Sequence, residues 1–249
     1  MSGTRSPSRT APATDRALLI VAHGSPSEPE PQEEALRALA RSVAAHLPGW
    51  RVEGTTLAAE GAFGAAAARL GRPVVYPFFM SEGWFTGQAL ARRTAALGLE
   101  QLAPFGVSPD LPGPAAARIK ARIAAQGWAP ADTALLLAAH GSARSKTSAG
   151  AALAFARALG ATLAPRAVTI GFVEQAPFLA DAARDLGQAL CLAFFALRSG
   201  HVDGDLPEAF RAAGFAGLVL PPFIEWAETP GLIAQDTLRQ LARPKETTT

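Results

Sequence analysis

The chain is written twice, and this repetition limits its folds more than any other feature. "LLIVAHGS", ending at Ser25, returns as "LLLAAHGS", ending at Ser142, 117 residues later. "VVYPFFMSEGWF" from Val74 maps onto "CLAFFALRSGHV" from Cys191 at the same spacing, and the "PF" and "PG" pairs at Pro104 and Pro112 recur at Pro222 and Pro230, 118 residues on. Solenoid units run to roughly 20–50 residues. A period this long, held over most of 249 residues, instead means two fused copies of one domain, each of roughly 120 residues and long enough to bury a core.

Inside each copy, short apolar runs alternate with Ala-rich amphipathic stretches. Strands are expected near 17–22, 52–58, 73–79 and 101–105, and again at Leu135–Ala139, Val168–Phe172, Ala189–Phe195 and Gly217–Leu220. Helices are expected near 30–46, 62–70, 87–96 and 112–127, then at 147–159, 176–186, 206–213 and 231–242. Strands that are apolar on both faces, each followed by a helix, predict parallel sheets covered on both sides. The expectation is an α/β chain of two similar four-stranded domains, residues 17–130 and 131–243, joined near "QGWAPADT". Residues 1–16 and 244–249 are read as flexible tails; the first lacks the apolar segment of a secretory signal.

Composition narrows the function classes. Hydrophobic residues are 49% and charged residues 18%, with no apolar run near the roughly 18 residues of a spanning helix, so a soluble protein is expected. Cys191 is the only cysteine and sits in an apolar run, which excludes a disulfide framework and a multi-cysteine zinc site and makes the cytoplasm the expected compartment. A formal charge of +2, without a dense Lys/Arg stripe, favours a small anionic substrate over nucleic acid. HExxH, GxxxxGK[ST], GxSxG and a GxGxxG after the first strand are all absent.

In parallel α/β sheets, ligands gather beyond the carboxyl ends of the strands. His140, Glu174 and His201 take such positions in the second copy, and His23, Glu60 and Trp84 in the first. Taken singly, His140 reads equally as a turn-packing histidine before Gly141, and Glu174 as a charge in the first turn of a helix. His201, in the polar loop "RSGHVDGD", is the least core-like. Two imidazoles and a carboxylate at one rim can hold a borderline divalent ion and take up protons.

"LLLAAHGS", "GFVEQAPFLADA", "FFALRSGHVDGDLPEAF" and "VVYPFFMSEGWFT" resemble the class II tetrapyrrole chelatases, specifically the sirohydrochlorin chelatases of the cobalamin and siroheme pathways, in their fused two-unit form. The resemblance covers residues 17–242. It implies a tetrapyrrole held in a cleft between the units, His140 and His201 as the active histidines, and Glu174 as the active acid. It implies no organic cofactor, with Co2+ or Fe2+ as a substrate. Trp84 replaces His201 in the first copy, whose role would be a wall for the macrocycle; ordinary packing of Trp84 and Phe85 is the competing account. An anionic, polycarboxylate pigment calls for a rim of donors and cations, for which Ser25, Ser142, Arg144, Lys146 and Arg198 are candidates. Arg144 and Lys146 read equally as a solvated loop. Asp203 and Asp205 would attract cations or hold the His201 ring, and Asp205 also reads as a helix cap. Because a fused pair supplies both cleft walls, a monomer or weak homodimer is expected, without membrane or nucleic-acid partners. A metal or tetrapyrrole carrier of the same fold, and a mononuclear metal hydrolase, are the alternative functions.

Overall fold

The structure is a computed structural model that describes residues 16–26, 29–83, 85–142 and 146–243. The first half runs β1 (Arg16–Ala22), α1 (Pro29–His46), β2 (Trp50–Thr56), α2 (Ala62–Leu70) and β3 (Val74–Pro77). A π turn, Phe85–Leu90, then leads into α3 (Ala91–Ala96), and a 3-10 turn, Phe105–Val107, precedes α4 (Pro112–Ala124). The second half repeats the scheme with β4 (Ala134–Ala139), α5 (Lys146–Leu163), β5 (Ala167–Phe172), α6 (Leu179–Ala182) and β6 (Ala189–Phe194). It continues through a π turn at His201–Asp205, α7 (Leu206–Ala213), β7 (Leu218–Leu220), a 3-10 turn at Phe223–Glu225 and α8 (Thr229–Ala242). Arg16, expected in the tail, opens β1; the rest of both expected tails lies outside the described residues.

Both sheets are parallel, ordered β2-β1-β3 and β5-β4-β6-β7. The first therefore has three strands where four were expected. Gln101 makes a single bridge to Val75, and the ladder stops there. Ala103 faces the outer edge, where Gln240 of α8 accepts from its N–H (2.7 Å) and donates to its carbonyl (3.2 Å). Neither Pro77 of β3 nor Pro104 has the N–H that the next rung needs, so the ladder ends. The helix expected at 176–186 also shrinks to α6, because the Phe172 N–H donates to the Pro177 carbonyl (2.9 Å) and folds residues 173–178 back as a loop on β5.

Strand pairing refines the repeat. Leu18 pairs with Val74, while its counterpart Leu135 pairs with Leu190, so the strand spacing is 116 (190 − 74) and Phe78–Phe79 match Phe194–Phe195. One extra residue before Gly200 restores 117 at Gly83 and Gly200.

Alternation places the core. Leu18, Ile20 and Ala22 of β1, with Leu135, Leu137 and Ala139 of β4, face one continuous interior that also takes in α1, α4, α5 and α8. The opposite faces, Leu19 and Val21 or Leu136 and Ala138, pack separately on α2 and on α6 with the start of α7. Each fully buried Leu or Ile contributes about 1.5–3 kcal/mol. Four helices thus lie between two sheets, and the first helix of each half packs against the last helix of the other, α1 on α8 and α4 on α5. Phe105 and Phe223, equivalent in the repeat, meet edge to face at 5.4 Å across this interior. A buried carboxylate adds a polar lock: Asp236 of α8 accepts from Tyr76 of β3 (2.8 Å), Gln240 (2.8 Å) and Arg239, and Arg239 also pairs with Asp110 (2.9 Å). Burial, and then the Asp236 charge, push the Tyr76 hydroxyl well above its ordinary value and keep it a donor.

Candidate metal centre

At the carboxyl end of β4 the chain must turn sharply, and Gly141 permits it with φ +72°. A Cβ there would lie 2.7 Å from Cγ of Gln175 and 2.9 Å from Cβ of Phe172. His140 is thereby left at the sheet edge. His201 opens the π turn after β6, and Glu174 follows β5, where its N–H donates to the His140 carbonyl (3.0 Å). Glu174 lies in the fold-back loop, not in the first turn of a helix.

The three residues expected to act together do meet. His140, Glu174 and His201 each offer a ligand atom, all within 4.8 Å of one another, the only such His/Cys/Asp/Glu group among the described residues. Nε2 of His140 lies 3.0 Å from Nε2 of His201, the rings nearly perpendicular. Glu174 Oε2 is 3.7 Å from Nδ1 of His140. These side chains are 42%, 35% and 49% exposed for His140, His201 and Glu174, so a ligand can reach them.

Neighbours assign the tautomers. Nδ1 of His140 lies 3.0 Å from the Gly141 carbonyl, and Nδ1 of His201 lies 2.6 Å from Asp205 Oδ2. A carbonyl and a carboxylate only accept, so each Nδ1 carries a hydrogen, and in the neutral form of each ring Nε2 presents a lone pair. At this distance a proton on one Nε2 bridges the pair, and with both rings neutral the facing lone pairs repel unless a metal cation sits between them. A tetrahedral ion bound at about 2.0–2.1 Å holds its two nitrogens about 3.3 Å apart, within a few tenths of the observed gap. Asp205 fixes the His201 ring in the manner of an orienting carboxylate.

The first copy is less complete than its sequence implies. The pairing that ties Glu174 to His140 is made there by Ala58, whose N–H donates to the His23 carbonyl (2.9 Å). Ala58 therefore holds the position of Glu174; Glu60, expected there, lies two residues further on and is exposed. His23 remains at the rim, lowered from its ordinary value first by burial and then by the charge of nearby His140.

Ser25 and Ser142 are half-buried on the loops after β1 and β4, and the Ser142 N–H donates to Gln175 Oε1 (2.7 Å). Arg198 is engaged on both sides, with Glu225 Oε1 at 2.5 Å and Asp203 Oδ1 at 2.6 Å, which raises its pKa. Trp84 and Arg144 lie outside the described residues, as does the side chain of Lys146. Gln32, Gln175 and Glu225 were not singled out from the sequence. Glu225 had a signal, since its repeat counterpart at the 118 spacing is Val107.

No protein-family model matches the chain, and no curated protein matches it. Among solved structures, CbiX, described as the terminal enzyme for biosynthesis of siroheme in denitrifying bacteria, is 45% identical over 90% of this chain and 99% of its own, with a TM-score of 0.83. SirB from Bacillus subtilis with Fe3+ shares the fold at 14% identity, over 91% of this chain and 96% of its own, with a TM-score of 0.71. SirB from Bacillus subtilis subspecies spizizenii, a sirohydrochlorin chelatase in complex with cobalt, does so at 15% identity, over 90% and 93%, with a TM-score of 0.63. With a His/Glu/His group able to hold a metal ion at its strand ends and this degree of identity to CbiX, the chain belongs to the CbiX/SirB-like class II chelatases.

Proposed function

We propose that the protein inserts Co2+ or Fe2+ into sirohydrochlorin, releasing two protons, in cobalamin or siroheme biosynthesis. The observation that carries this reading is the pair of Nε2 atoms facing each other at 3.0 Å, beside Glu174 and open to solvent. His140 and His201 present the incoming ion to one face of the macrocycle. Glu174, next to His140, offsets charge or completes the temporary coordination. As the ion passes to the ring nitrogens, both imidazole lone pairs are freed to accept the two pyrrole protons, which keeps the exchange balanced in charge. Two imidazoles and one carboxylate leave positions open, as suits an ion that must depart.

The tetrapyrrole would lie between a second unit, 131–243, and a first unit, 17–130, with Ser25 and Ser142 as donors to its carboxylates and Trp84 as a wall. His23, held toward the neutral form, faces the site from the first unit. A fused pair supplies both walls, so a monomer suffices. Anaerobic mixing with sirohydrochlorin and Co2+ is expected to shift the visible absorption of the macrocycle, with turnover lost in His140→Ala and His201→Ala. Stoichiometric binding without that shift would support a carrier instead, and unchanged rates in both variants would overturn the assignment.

A further inference from the structure

The cation expected to receive substrate carboxylates is already occupied. Arg198 sits between two carboxylates, Glu225 and Asp203, so the local sum is one negative charge, and an anion arriving there meets repulsion unless a partner is displaced. Those partners have a mechanical meaning. Asp203 lies in the π turn that begins at His201, whose N-terminal side is built on Ser199: its carbonyl accepts from Val202 (2.9 Å) and Asp203 (3.0 Å). Glu225 lies in the 3-10 turn anchored by fully buried Phe223 and Trp226, and that turn is stitched to the loop by Phe223 N–H to the Phe195 carbonyl and Ile224 N–H to the Ala196 carbonyl, both 2.9 Å. Arg198 therefore bolts the histidine-bearing turn to the core. Gln32 of α1, in the other half, donates to the Arg198 carbonyl at 2.8 Å.

The repeat supplies an independent observation. At the 117 and 118 spacings, Arg198, Asp203 and Glu225 correspond to Ser81, Thr86 and Val107, and Gln32 corresponds to Ala149. Each component of the clamp is present only where it serves the turn carrying His201.

Resting on the metal-insertion reading above, we infer that Arg198 is a positioning residue: bridged to Asp203 and Glu225 and tied to α1 through Gln32, it fixes His201 opposite His140. Half-exposed ion pairs contribute little to global stability, so losing the clamp leaves the chain folded. A ligand displaced by about 1 Å costs far more in function, and partners that orient metal ligands are worth about 10–100-fold in affinity.

The test titrates Co2+ alone, anaerobically, into the full chain and follows the visible d–d bands, then measures kcat and KM for sirohydrochlorin. Variants are Arg198→Ala, Arg198→Lys and Glu225→Gln, each checked for an unchanged thermal midpoint. Positioning predicts that all three weaken Co2+ about 10–100-fold and alter the bands, with kcat lowered and the tetrapyrrole KM little changed. Lysine keeps the charge but lacks the fork that spans two carboxylates. Unaltered Co2+ affinity and bands in all three, with KM raised in Arg198→Ala and preserved in Arg198→Lys, would make Arg198 a substrate-docking cation and overturn the inference. Failure of the unaltered chain to bind Co2+ would instead overturn the metal-insertion reading, and the clamp with it.

Discussion

The two halves share a strand order and a turn chemistry, yet among the described residues only the second assembles a group able to hold a metal ion. Both carry His-Gly after the central strand, with Gly24 and Gly141 at φ +79° and +72°. Beyond that they part. Where the second half has Glu174 the first has Ala58, and where it has His201 the first has Trp84. Duplication lets one copy keep the reactive groups while its sibling keeps the scaffold, and the scaffold alone is enough to fold a His-Gly turn.

The comparison breaks most readily at the ligands. His140→Ala and His201→Ala are each expected to lower Co2+ affinity by more than about 100-fold, beyond the range for orienting partners. Glu60→Ala, exposed and out of register, should leave the titration unchanged; a comparable loss there would restore a working site to the first half. The next largest effect concerns what joins the halves. Asp236→Ala leaves Arg239 only Asp110 and takes the acceptor from the buried Tyr76 hydroxyl, and should destabilise the fold by about 1–3 kcal/mol in urea melts, whereas Asp132→Ala, in an exposed turn, should fall within about 0.5 kcal/mol.

Smaller and local is Asp205→Asn. Its repeat counterpart is Gln88, and removing the carboxylate from His201 Nδ1 should weaken Co2+ about 10–100-fold without moving the melting midpoint. Smallest is a null effect. Full burial pushes the Cys191 thiol far above its ordinary value, so the native chain should resist thiol reagents at pH 8 and react only once unfolded. Labelling of the folded protein would mean that the interior of the second half opens.

Much of this was legible in the primary structure. The repeat announced two parallel α/β units, and the strand ends announced His140, Glu174 and His201 as neighbours. What escaped depended on pairing register and on partners distant in sequence. The missing fourth strand of the first half had a signal in Pro77 and Pro104, but that these two prolines fall on one rung emerges only from the pairing of Val75 with Gln101. Glu60 was paired with Glu174 by residue type, yet the backbone bond to His23 comes from Ala58, and register is set by hydrogen bonds rather than by matching letters. β4, "ALLLAA", is made of good helix formers; it is extended because β5 and β6 satisfy both of its edges. Arg198 looked like an available cation because neither Asp203 nor Glu225 declares its direction in a string of letters.

The swapped packing of first helices on last helices bears on how a flat pigment enters. Parting the two sheets like a clamshell would wet α1, α4, α5 and α8 together and pull Phe105 from Phe223. Broad apolar contacts of that kind suppress hinge motion. Access then does not need the sheets to part: His140, Glu174 and His201 already stand exposed where β4, β5 and β6 end, and the body of the molecule should stay rigid during exchange.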